Sequence, residues 1–92
     1  MGLLVLEFHL PGCTSLKEKR GRLGGLRDRF GRLPHVAVTE SDFADALQRS
    51  EWSFVAMGHD VAFVSGTLQE IERDIVARVD AVVTRRQREI DS

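Results

Sequence analysis

Cys13 stands between Pro11-Gly12 and Ser15, where an alternating apolar run gives way to a strongly basic segment. A thiol at the start of a helix can be nucleophilic, because the helix dipole favours the thiolate. His9, four residues earlier, is the nearest imidazole that could act as its base. A passive loop cysteine requires neither, and that plainer reading is favoured. A second set of candidates is Lys17, Lys19 and Arg20 with Glu40, Asp42 and Arg49. Cations beside the free amides of a helix start can hold a small anion, though almost every helix start offers such amides. The three histidines, His9, His35 and His59, equal a zinc site in number. His9 and His59 fall at opposite ends of the expected sheet, so no metal and no cofactor is assigned.

A net charge of −1 conceals segregation of the charged residues. Residues 17–32 carry seven cations against two acids, while residues 40–60 carry five acids against one cation. Such asymmetry marks a surface for nucleic acid or another acidic partner, or else pairing between neighbouring elements. The single cysteine accords with a reducing compartment, here expected to be the cytoplasm. No apolar run is long enough for a membrane span, and the N-terminus does not read as a signal peptide.

These side chains need elements to position them. Leu4, Leu6, Phe8 and Leu10 alternate with Leu3, Val5, Glu7 and His9, the period of a strand over residues 2–10. Ser15 with Glu18 forms a capping box, which predicts a helix to about Gly31 with Leu16, Leu23, Leu26 and Phe30 on its inner stripe. Gly21, Gly24 and Gly25 weaken that helix by up to about 1 kcal/mol each relative to alanine. A second strand is expected at His35–Glu40, then a short helical turn over Asp42–Leu47 capped by Ser41, then a third strand at Trp52–Met57. Asp60 is the expected cap of a long helix, with Val61, Val64, Leu68, Ile71, Ile75 and Val79 on one stripe. Residues 81–90 close the chain as a fourth strand, where Arg85, Arg86 and Arg88 suit a guarded edge.

The order β-α-β-β-α-β predicts an α+β, ferredoxin-like plait occupying the chain as one domain, with a four-stranded antiparallel sheet and helices on one face. Strands one and two are then parallel and end at the same edge of the sheet. His9, Lys19, Glu40, Asp42 and Arg49 are expected to converge there as a candidate rim site. On a helical wheel Lys19 falls inside the apolar arc, so its ammonium must snorkel to solvent or find a carboxylate, with Glu40 or Asp42 the expected partner. The open sheet face exposes Leu3, Val5 and Ala37, with Val55 and Met57 as further candidates, and burial in a homodimer is expected.

The segments HLPG, SLKEKR at residues 15–20 and ESDFADALQR, with Glu40, Asp42, Asp45, Gln48 and Arg49, resemble the YlxP-like family of uncharacterised bacterial proteins. The resemblance implies the ferredoxin-like fold and a cytoplasmic protein. Genes of relatives often lie near those for translation-initiation and ribosome-maturation factors, which implies work with RNA or the ribosome. Cys13 departs from the small residues usual at its position in that family. Acylphosphatases share the fold but place an arginine in the loop after strand one, and Pro11–Ser15 has none. RNA-recognition domains of this topology stack bases on sheet aromatics, whereas Phe8 here shares a face with the core leucines. The expected function is therefore a non-enzymatic binding module, possible in association with RNA or the ribosome through Lys17, Arg20, Arg22, Arg27 and Arg29. The alternatives are an anion-binding protein or enzyme using the loop after strand one, and a protein-binding adaptor using the open sheet face.

Overall fold

A computed structural model describes residues 1–91. The strands are β1 (Gly2–His9), β2 (Val36–Asp42), β3 (Arg49–Ala56) and β4 (Val82–Ile90). The helices are α1 (Leu16–Leu23), α2 (Gly25–Phe30) and α3 (Val61–Arg78). The sheet is antiparallel in the order β2-β3-β1-β4. With α1 and α2 counted as one broken helix, this is the expected plait. No helix is long and apolar enough to cross a membrane among the described residues.

Alternation in β1 and β3 builds the core directly. Leu4, Leu6 and Phe8 face the helices with Trp52 and Phe54, and Val64, Leu68, Ile71 and Ile75 of α3 pack on them. Leu23, Leu26 and Phe30 complete the layer, Phe30 meeting Phe54 edge to face at 5.9 Å. The outer members of the two predicted helical stripes are not core: Leu16 and Val61 are exposed. Each is the first residue of its helix.

The first helix departs from the expected single run. Gly24 closes α1 by donating its N–H to Arg20 O at 2.7 Å, and α2 starts at Gly25. Two adjacent glycines provide little helical preference, so the break falls where propensity is lowest. The expected Ser15 cap is present, with its side chain accepting from the Glu18 N–H at 3.0 Å. Asp60 likewise caps α3 by accepting from the Phe63 N–H at 2.7 Å.

The expected helical turn over Asp42–Leu47 is absent. Strand β2 continues to Asp42, β3 begins at Arg49, and the intervening residues form a hairpin loop. Ser41 does not cap a helix; its hydroxyl donates across the pair to Glu51 Oε1 at 2.6 Å and accepts from Ser53 at 2.8 Å. Asp42 turns the chain instead, accepting the Phe43 N–H at 2.7 Å, and Phe43 adopts a φ of 61°. Such a conformation is unusual for a bulky residue and persists only when its surroundings hold it.

Candidate functional site

Lys19 is the most buried charge in the molecule's described residues, only 4% exposed. Its Nζ lies 3.2 Å from Glu40 Oε2, so of the two expected partners, Glu40 and Asp42, Glu40 is the one that pairs. It also donates to the carbonyls of Phe43 at 2.7 Å, Ala44 at 3.2 Å and Ala46 at 2.7 Å. The Glu40 carboxylate receives a further hydrogen bond from buried Ser50 at 2.6 Å. An ammonium surrounded by acceptors is compensated for its desolvation, and the same contacts hold the β2–β3 loop in its turn.

The candidate rim divides across the sheet. Lys19 and Glu40 lie on the helix side, whereas His9 and Arg49 are register partners and Asp42 lies exposed near Glu51. Arg49 pairs with Glu7 and places its guanidinium 3.8 Å from the centre of the Phe43 ring. His9 Nδ1 lies 3.2 Å from Gln48 O. Strand alternation turns His9 and Arg49 away from the helix side that Phe8 and Ser50 face, and the register shift between Glu40 and Asp42 sets Asp42 opposite Glu51 rather than on the face of Glu40.

Cys13 is 1% exposed and belongs to the core cluster. Burial pushes the thiol upward from its ordinary range, a hydrogen bond with Glu18 adds to the rise, and a backbone bond at Ser15 opposes it. The thiolate that a nucleophile needs is thus disfavoured. The burial and the raised pKa accord with the passive cysteine favoured above.

The cations of α1 and α2 divide into two flanks. On one, Arg22 meets Glu18 at 3.3 Å and Asp80 at 3.6 Å, and donates to Pro11 O at 2.9 Å. Arg29 meets Asp74 of α3 at 2.7 Å. The pairing thus comes largely from α3 and its C-terminal end, not from the acidic 40–60 segment, which engages this basic region through Glu40 and Lys19. On the other flank, Arg20 and Arg27 are exposed, as is Lys17, and no ion pair engages them among the described residues.

Arg20 and Arg27 border a cleft of about 480 Å³ between α1–α2 and the β2–β3 hairpin. Leu16, Leu23 and Trp52 supply its apolar wall, and Asp28 and Asp45 its free carboxylates. The Arg27 guanidinium lies 5.7 Å from the Trp52 ring centre. Trp52 is 5% exposed, and its Nε1–H is buried with no acceptor among the described residues. An unsatisfied buried donor costs about 1–3 kcal/mol, so a folded protein rarely keeps one without reason. The sequence places Trp52 at the start of the third strand and does not single out this cleft. Its signal was present in the helical wheel, which sets Arg20 and Arg27 beside Leu16.

No curated protein matches the chain. Residues 1–88 match the model of a family described as a protein of unknown function, and over that span the chain belongs to this family, DUF503.

Proposed function

We propose that the protein is a small non-enzymatic binding module that contacts RNA phosphates through the free flank of α1 and α2. The observation carrying this reading is the unequal treatment of the arginines. Arg22 and Arg29 are engaged by carboxylates, while Lys17, Arg20 and Arg27 present cations without ion-pair partners among the described residues. Unpaired guanidinium groups are suited to bidentate contact with phosphate oxygens. The YlxP-like resemblance supports the same direction, because genes of relatives often lie near those for translation factors, and a cytoplasmic setting accords with the one free cysteine.

The deciding experiment is co-sedimentation with ribosomes and ribosomal RNA over a range of salt. Phosphate contacts give a log–log salt slope of about −0.7 to −0.9 per phosphate neutralised. Reversal of Arg20 and Arg27 to glutamate should abolish binding while circular dichroism stays unchanged. Absence of binding by the unaltered protein at low salt would overturn the reading.

The open sheet face supports a homodimer within the same proposal. Leu3 and Val55 are register partners, Val5 follows on the same face, and neighbouring Met57 is 62% exposed. Arg85 and Glu89 on β4 carry opposite charges beside this apolar centre, so two copies related by a two-fold axis can complement each other.

A further inference from the structure

We infer that the cleft between α1–α2 and the β2–β3 hairpin receives one unpaired nucleotide of a single-stranded RNA. The inference deepens the RNA reading above and rests on it. Three independent features of the cleft specify such an occupant. Its space, about 480 Å³, is within the range of sites that enclose a small organic ligand. Arg20 and Arg27 stand at its border without ion-pair partners among the described residues, so a phosphate brought there meets two guanidinium groups. Leu16, Leu23 and Trp52 form an apolar wall on which a base can lie, beside the free carboxylates of Asp28 and Asp45.

An inorganic anion satisfies the arginines but makes no use of the carboxylates of Asp28 and Asp45 on the same walls. A nucleotide supplies what each group lacks: phosphate oxygens for the arginines, an apolar base face for the wall of Leu16, Leu23 and Trp52, and amino or hydroxyl donors for the acids. Duplex RNA keeps its base edges paired and stacked, so the occupant must come from a single strand. This differs from base stacking on a sheet, because Phe8 and Phe54 are closed off beneath the helices.

Trp52 is the only tryptophan of the chain, so its fluorescence reports this cleft alone. The experiment titrates a labelled single-stranded RNA and a duplex of equal length, reading label anisotropy and tryptophan emission together. The expected result is binding of the single strand with a saturable change in emission, and neither change nor tight binding with the duplex. Leu16→Glu, checked for folding by circular dichroism, should weaken single-strand binding at least tenfold, because it sets a charge on the apolar wall that meets the base. Asp45→Asn supplies a second variant, and it should shift the emission titration to higher RNA concentration. Binding of single strand and duplex with equal affinity and unaltered emission would overturn the cleft inference and leave the phosphate reading standing. Equal emission changes with inorganic phosphate at matched charge would overturn the nucleotide in favour of a simple anion. No anisotropy change at low salt would overturn both.

Discussion

Lys19 gathers a carboxylate and three loop carbonyls around one ammonium, so its loss leaves several acceptors buried without a donor. Lys19→Met should therefore destabilise the protein by about 3 kcal/mol in urea unfolding, the scale for breaking one side of a buried pair. Amide exchange should quicken most at residues 43–48, the loop that the ammonium holds. Glu40→Gln keeps an acceptor for Ser50 and should cost less, about 1 kcal/mol. Cys13 offers a second residue-level expectation. Its alkylation in the folded protein should be roughly 100-fold slower than in urea, because reaction waits for local opening. Its raised pKa also has a direction for stability. The folded state retains the proton longer than the unfolded state, so this contribution is complete below the unfolded thiol pKa and is lost as pH rises through the folded one. The placement of Lys19 in the apolar arc was legible from the helical wheel. The three carbonyls were not, because they converge only after Phe43 has turned to a φ of 61°.

Among the elements, the broken first helix yields the sharpest contrast. A Cβ at Gly21 meets nothing within 4 Å, whereas one at Gly24 comes 2.5 Å from Arg20 O. Gly21→Ala should raise stability by about 0.5–1 kcal/mol through helix propensity, and Gly24→Ala should lower it by straining the junction. Thermal unfolding of the two variants checks the difference in sign. Both glycines look alike in a linear sequence, where each is simply a weak helical residue. The caps at Ser15 and Asp60 were legible because a cap depends on residues only three apart. The stretch after Ser41 was misread for the converse reason. Its polar residues resemble a helix start locally, but their partners, Glu51 and Ser53, lie on the next strand.

At the scale of the whole molecule, the open sheet face is where association belongs. Sedimentation velocity should show a monomer–dimer equilibrium that shifts toward monomer by at least about tenfold in Val5→Glu, since a charge introduced at an apolar contact costs more than 1.4 kcal/mol. A unaltered protein that remains monomeric at high micromolar concentration would remove the dimer from the proposal.

The sequence by itself determined the strand and helix order, the helix-facing set of β1 and the placement of Lys19 in the apolar arc of its helix. Those properties follow from periodicity and caps, both of which act over short stretches or on a single face. Only the tertiary structure decided which arginines are free. Arg22 and Arg29 turn toward acids at Asp74 and Asp80, far along the chain, while Arg20 and Arg27 border the cleft beside Trp52. Charge counted along a sequence has no direction, and the packing of α3 beside α1 and α2 determines which charges pair and which remain available.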